Sequence, residues 1–483
     1  MTRVDARAEE ADVTTTISVR DREPGFFART LEGLRELWDG VAGSESVEAL
    51  HPDLPARSLG TVERQMAACL EGKGGEVSAR KRAAALGQAY LSLSRDGKRR
   101  FLVLLAERFG TDQDAVGAAI EAWNAADVDD RDASERAMRA ALSAPRTALL
   151  RQFNGLPQGV KFLVDMRADI LSFLKEEPTL KPLDADLRDL LSSWFDIGFL
   201  EMRSISWNSP AALLEKLIEY EAVHAIRSWD DLRNRLESDR RLFAFFHPRM
   251  PDEPLIFVEV ALVNGISASI QALLDENAPT EDPHKADTAI FYSISNAQKG
   301  LRGISLGNFL IKRVVDELSR DLPNLRTFST LSPIPGFARW LAKSAAEGEK
   351  LGLTAQDRRL LKEATGTAVN RGQFLKLLDD PTWHEDEALA LALRDPLSRL
   401  CARYLLKAKR RDQPLDPVAR FHLNNGAQLE RINWLGDVSP KGIEESAGMM
   451  VNYLYRLSDI ERNHERFASD GTIAASSQVR SLL

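Results

Sequence analysis

A serine and a histidine stand out in a chain otherwise sparing with reactive side chains. Ser332 opens the string Ser332-Pro-Ile-Pro-Gly336, directly after an apolar run from Thr327 to Leu331. Serine before proline at a strand end is either turn chemistry or a hydroxyl held at the rim of a cleft. His422 is followed by Asn424, Asn425 and Gly426, then by Arg431, Asn433 and Asp437, with Phe421, Leu423, Ile432, Trp434 and Leu435 among them. Buried polar groups need partners, so this mixture is either a structural network or the wall of a substrate site. The other histidines offer less. His51, His284, His384 and His464 lie in polar or charged, loop-like surroundings and read as solvent-facing, and His224 falls in a helical pattern. His247 precedes Pro248 in a turn, where a structural role fits. No nucleophile elbow, Walker loop, His-Glu-x-x-His or Cys-x-x-Cys occurs, and no clustering of ligands points to a metal.

The element that must position these residues runs from Ala289 to Phe337. It reads as a strand (Ala289 to Ser295), a Gly-rich turn (Lys299 to Gly307), a helix with Leu306, Leu310, Val314 and Leu318 on one face, and a second strand ending at Ser332. Strand, glycine turn and helix together make a phosphate cradle: backbone N–H groups at the turn point at the anion and the helix dipole favours it. The cradle residues are Arg302, Gly303, Ile304, Ser305, Leu306, Gly307 and Asn308, with Lys299 and Lys312 adding positive charge. Upstream, Arg241 to Phe246 and Leu255 to Val263 read as an antiparallel hairpin around the turn His247 to Pro254. The run from Trp194 to Ile226 reads as a transition. Before it, helical spacing prevails from about residue 25 to 190; one helix opens at Thr111-Asp-Gln-Asp114 as a capping box and carries Val116, Ala119, Ile120 and Trp123 as its stripe. Residues 338 to 410 are again helical, with a break at Pro381-Thr-Trp383.

The organisation is therefore α+β: a tail over 1–24, an all-α bundle over 25–190, a mixed α/β domain over 191–468 that holds the site, and a flexible end over 469–483. At 483 residues the chain exceeds one ordinary domain. Its 44% apolar and 28% charged residues are those of a globular protein. Two distant cysteines, Cys69 and Cys401, exclude a disulfide framework and fit a reducing compartment. A net charge of −8 argues against nucleic acid as a partner, and no apolar run is long enough for a membrane span. The N-terminus is rich in both acids and bases, unlike a secretory signal or a transit peptide, so the cytoplasm is the expected location.

Arg302-Gly-Ile-Ser-Leu-Gly307 resembles the Arg/Gln-x-x-Gly-x-Gly/Ala pyrophosphate loop of GNAT-type acetyltransferases, departing from it at Ser305. A larger resemblance, over about Leu191 to Tyr455, is to malonyl-CoA decarboxylase. It rests on Trp194-Phe-Asp-Ile-Gly-Phe199, Glu253-Pro-Leu-Ile-Phe-Val-Glu-Val-Ala-Leu262, the block Ala289 to Val315, Phe328-Ser-Thr-Leu-Ser-Pro-Ile-Pro-Gly-Phe337, and Phe421-His-Leu-Asn-Asn-Gly-Ala427 with Arg431-Ile-Asn-Trp434. The resemblance implies a GNAT-like catalytic domain that converts malonyl-CoA to acetyl-CoA and CO2 with no metal and no organic cofactor. It also implies an acyl-CoA loop over Arg302 to Asn308, Ser332 and His422 in the active site, and homo-oligomers, commonly tetramers, formed through the helical domain. The chemistry suits those residue types, because the thioester carbonyl is the electron sink when CO2 leaves. His422, with an imidazole pKa near ~6.5, is then expected to protonate the carbanion with Ser332, and Asn433, Asp437 and Tyr455 are candidates to orient it.

Overall fold

The sheet that carries the site owes its existence to two strands buried on both faces. In β2 (Arg240–His247), Leu242, Ala244 and Phe246 pack with Leu214 and Leu217 of the helix Ala211–Tyr220, while Phe243 and Phe245 point the other way and are also buried. Its partner β3 (Met250–Val263) is buried almost throughout, as expected of a strand covered on both faces. These observations come from a computed structural model, which describes residues 26–43, 50–71, 74–195, 197–304 and 310–483. Contacts divide the chain into two units, Met1–Phe101 with Arg151–Pro157, and Leu102–Leu150 with Gln158–Leu483. The first unit is helical, with Trp38 fully buried and its indole N–H donating to the Pro157 carbonyl at 2.8 Å.

The second unit contains further helices and all the strands. The remaining strands are β1 (Glu201–Ile205), β4 (Thr288–Asn296), β5 (Thr327–Thr330), β6 (Ser332–Pro333), β7 (Lys409–Arg410), β8 (Gln413–Pro414), β9 (Gln428–Asn433) and β10 (Met450–Leu454). Among the described residues eight of them form one sheet in the order β1-β2-β3-β4-β5-β10-β6, with β9 also paired to β10; β7 and β8 form a separate ribbon. Every pairing in the large sheet is antiparallel except β4 with β5. A parallel pair needs a crossover, and here the crossover includes the helix Leu310–Asp321. The architecture is α+β, as the sequence implies.

Several local expectations change. The hairpin turn is tighter than His247 to Pro254, because His247 already pairs with Met250; irregularities beside Phe246 accommodate Pro254, which lacks a ladder N–H. Strand β1 lies inside the stretch read as a transition: it is an edge strand with Ile205 as its one buried residue and offers no apolar run to detect. The helix Gln113–Ala125 is capped by Asp112, not Thr111, through bonds from the N–H groups of Asp114 and Ala115, and none of its residues is buried. The end of the chain is not a loose tail. Leu429 bridges to Ala475, Ser476 caps the helix Ser477–Arg480, and Val479 is fully buried.

Candidate active site

Ser332 reaches its place where the chain loses one of its two strand partners. Up to Thr330 the chain lies between β4, to which it runs parallel, and β10; after Leu331 it leaves β4 and keeps β10 alone, Ser332 facing Val451. Strand alternation puts Thr330 and Ser332 on one face, and their hydroxyl oxygens lie 2.8 Å apart. The Tyr453 N–H donates to Thr330 Oγ1 at 3.0 Å, which anchors the pair to β10.

His422 comes from the helix Pro417–Asn424. Asp416 caps that helix by accepting from the Ala419 N–H at 2.7 Å, and Pro417 occupies its first position. At the other end Asn425 Nδ2 donates to the Phe421 carbonyl at 2.8 Å, and His464 Nδ1 lies 2.6 Å from the Asn424 carbonyl. Gly426 then turns the chain with φ of 78°; a Cβ there would stand 2.2 Å from the Ile460 carbonyl oxygen. The string His-Leu-Asn-Asn-Gly is thus a helix end that fixes its histidine.

The two side chains meet: Ser332 Oγ is 3.1 Å from His422 Nε2. On the far side of the imidazole, Tyr455 Oη is 2.7 Å from Nδ1. The ring of Tyr453 stacks on that of His422 at 4.5 Å and 23°. Ser332, His422 and Tyr455 are all buried. Burial pushes the His422 pKa down to about 3 and the Tyr455 hydroxyl well above its ordinary value. The ordinary imidazole pKa expected from the sequence therefore does not hold in this site: His422 is neutral at pH 7. The dyad faces a cavity of about 220 Å³ lined also by Val223, Phe291, Tyr292, Asn296 and Phe421.

Of the three residues expected to orient His422, Tyr455 alone bonds to it. Asn433 pairs with Asn452 at 2.8 Å and accepts from Arg431 at 2.7 Å. Asp437 accepts from Gln271 at 2.9 Å and from the Ser439 N–H. The polar density after His422 is therefore partly a structural network that ties β9 and β10 to their neighbours. Thr330 and Tyr453 are not among the sequence candidates, although each lies two residues before one, where the alternation of extended chain could have found them.

The cradle is partly visible. Arg302 is exposed, Gly303 adopts φ of 77° and Ile304 is buried; Ser305, Leu306, Gly307 and Asn308 lie outside the described residues. The start of the loop is braced from the helix Gly159–Phe173. Arg167 donates to the carbonyls of Gly300 at 2.6 Å and Arg302 at 2.9 Å while its Nε holds Asp184 at 2.9 Å. Lys312, counted as charge for the cradle, pairs with Glu461.

The remaining histidines divide differently from the sequence reading. His51 and His284 are exposed, but His384 and His464 are half-buried. His224 lies in an irregular segment after the helix Ala211–Tyr220, where Glu221 accepts from the N–H groups of Val223 and His224. Glu221 also accepts from the hydroxyls of Ser293 and Ser295 on β4. His247 has the structural role expected: Nε2 lies 3.1 Å from the Trp194 carbonyl and Nδ1 accepts from the Arg249 N–H. No helix among the described residues is long and apolar enough to cross a membrane.

Known proteins with the same sequence pattern and the same shape identify the family. Residues 198–483 match the malonyl-CoA decarboxylase C-terminal domain, and residues 109–195 match the N-terminal domain of the same family. The mitochondrial malonyl-CoA decarboxylase of Anser anser anser is 41% identical over 422 residues, 84% of this chain and 84% of that one. That of Rattus norvegicus is 42% identical over 362 residues, 72% and 73% of the two chains. The crystal structure of malonyl-CoA decarboxylase from Rhodopseudomonas palustris superposes with a TM-score of 0.80 at 45% identity, covering 88% of this chain and 99% of that one. This chain belongs to the malonyl-CoA decarboxylase family.

Proposed function

We propose that the chain decarboxylates malonyl-CoA to acetyl-CoA and CO2, with Ser332 and His422 handling the proton. The observation that carries this reading is the Ser332–His422 contact of 3.1 Å facing a largely apolar cavity, in a member of this family. A carboxylate held in such a cavity loses its hydration, and departure as neutral CO2 relieves that cost. As the C–C bond breaks, its electron pair moves into the thioester to give an enolate. The thioester is thus the electron sink, and on this reading no metal or organic cofactor takes part. In this reading the Ser332 hydroxyl, which donates to Thr330 Oγ1 in the free protein, turns to donate to the enolate carbon while its oxygen accepts a proton from Nε2 of a His422 that has been protonated on substrate binding. Tyr455 holds the far nitrogen, so the imidazole cannot rotate away. Acyl-CoA phosphates would rest on the loop from Arg302 to Asn308. Self-association through the helical part belongs to the same reading, and the helices Gln113–Ala125 and Arg131–Leu142, with no buried residue, offer surface for it.

The test is purified protein with malonyl-CoA and no added metal, amine or cofactor, following CO2 and acetyl-CoA together. Ser332→Ala and His422→Ala should each slow turnover about 10²-fold or more with CoA binding retained, and Tyr455→Phe about tenfold. Binding without CO2 release would instead favour an acyl-CoA sensor. Product formed only when an amine is supplied would favour an acyltransferase. Full activity in both alanine variants would remove Ser332 and His422 from the mechanism.

A further inference from the structure

The catalytic cavity has a second neighbour that the proposed chemistry leaves unused. Behind Val223 and Pro333, which line the cavity of about 220 Å³, lies a narrow void of about 10 Å³ bounded by those two residues with His224, Ile334, Asp437 and Lys441. His224, Asp437 and Lys441 in turn line an open cleft of about 920 Å³. The three spaces form a series that shares walls at each step, and Val223 lines all of them. A void of that size has room for one water-sized molecule. It passes nothing as large as a thioester.

The constriction is built rather than incidental. The N–H of Val223 donates to Glu221 at 2.7 Å, and its carbonyl accepts from Lys441 Nζ at 3.3 Å. Glu221 is itself fixed to β4 by the hydroxyls of Ser293 and Ser295. Arg235, fully buried, donates to the His224 carbonyl at 2.9 Å and is held by Asp231 and Glu259. The backbone around Val223 is therefore gripped from β4 through Glu221, from Lys441 and from Arg235. Its walls change character along the way, from apolar at Val223, Pro333 and Ile334 to ionic at Asp437 and Lys441.

Resting on the malonyl-CoA reading, we propose that this passage is a rear exit through which CO2 leaves while the acyl-CoA still fills the front of the cavity. The thioester arm that delivers the malonyl group occupies the way in, so a small neutral product needs another way out. An apolar inner segment suits CO2, and the charged outer cleft disperses it into water.

The test plugs the passage without touching the catalytic cavity: His224→Trp and Glu445→Trp, since both residues line the void and neither lines the cavity. Each plug should lower kcat about tenfold with KM for malonyl-CoA within about twofold. Retained CO2 recombines with the enolate, so the carbon-13 isotope effect on the departing carboxylate should fall towards unity in the plugged variants. His224→Ala, which opens the void, should keep the unaltered kcat and isotope effect. Unchanged kcat in both plugged variants, or a fall in kcat with the isotope effect intact, overturns the exit. A solvent deuterium isotope effect that grows on plugging would make the passage a proton route and also overturn it. Failure of the underlying reading is distinct, because the unaltered protein would then release no CO2 at all.

Discussion

Burial holds His422 neutral at pH 7, so on the proposed mechanism the proton it gives to a carbanion must arrive with the substrate or after it. The sign of the coupling follows from charge. A malonyl carboxylate entering the cavity favours the imidazolium and raises the His422 pKa from its resting value of about 3. Binding malonyl-CoA should therefore draw protons from solution near neutral pH, whereas acetyl-CoA, which lacks the carboxylate, should draw few. Titration calorimetry in two buffers of different ionisation enthalpy measures this uptake directly; equal uptake for both ligands would show that the carboxylate does not reach His422. The same burial removes any His422 ionisation near neutrality from the free protein's pH–rate profile. Much at this scale was legible: Ser332 and His422 were singled out from residue type and neighbours. The lowered pKa was not, because it comes from the rings of Tyr453 and Phe421 packed against the imidazole, and packing is a property of the assembled sheet.

The loop that begins at Lys299 depends on an element more than a hundred residues upstream. Gly300 presses on the helix Gly159–Phe173 so closely that a Cβ would stand 1.8 Å from the Val164 carbonyl oxygen. Arg167 on that helix takes up the carbonyls of Gly300 and Arg302. The N–H groups of Leu301, Arg302 and Ile304 bond within the turn itself, so the start of the loop is fixed on both counts. Gly300→Ala must push the loop away, and Arg167→Met releases its carbonyls and strands Asp184. Both should raise KM for malonyl-CoA about tenfold with kcat nearly unchanged, the signature of lost ground-state binding. Arg167→Met should also lower the thermal midpoint, since breaking a buried pair costs about 3–5 kcal/mol. A fall in kcat at unchanged KM would detach the brace from substrate binding. The strand, turn and helix of this unit were readable from period and glycine content. The brace was not, because nothing in the sequence pairs Arg167 with a turn 133 residues away.

Across the whole second unit, the least legible feature was the end of the chain. Residues after Ser469 look loose because they are short, polar and without periodicity, yet they cover an edge of the sheet. The Leu429 N–H donates to the Ala474 carbonyl, the Ser476 N–H donates back to Leu429, and the Ser476 hydroxyl donates to Glu430. Ending the chain at Asp470 should bare β9, lower the thermal midpoint and promote association on warming, as exposed strand edges do. Scattering during a thermal ramp, compared with the full chain, decides this; identical curves would make the covering segment dispensable. The sheet's order escaped the sequence for a related reason. β10, near the end of the chain, takes both β5 and β6 along one of its edges in a single register and β9 along the other, and β5 and β6 are separated in sequence by Leu331 alone.

That pairing sets the moment at which the site comes into being. Ser332 is made early, His422 ninety residues later and Tyr455 later still, and Ser332 has no strand partner until β10 exists. On the ribosome, a nascent chain that has exposed its glycine loop and its serine still lacks the strand that seats the serine and the tyrosine that fixes the imidazole. A message cut short before the codon for Tyr455 yields a polypeptide in which these groups are not in place, however well its helices have formed.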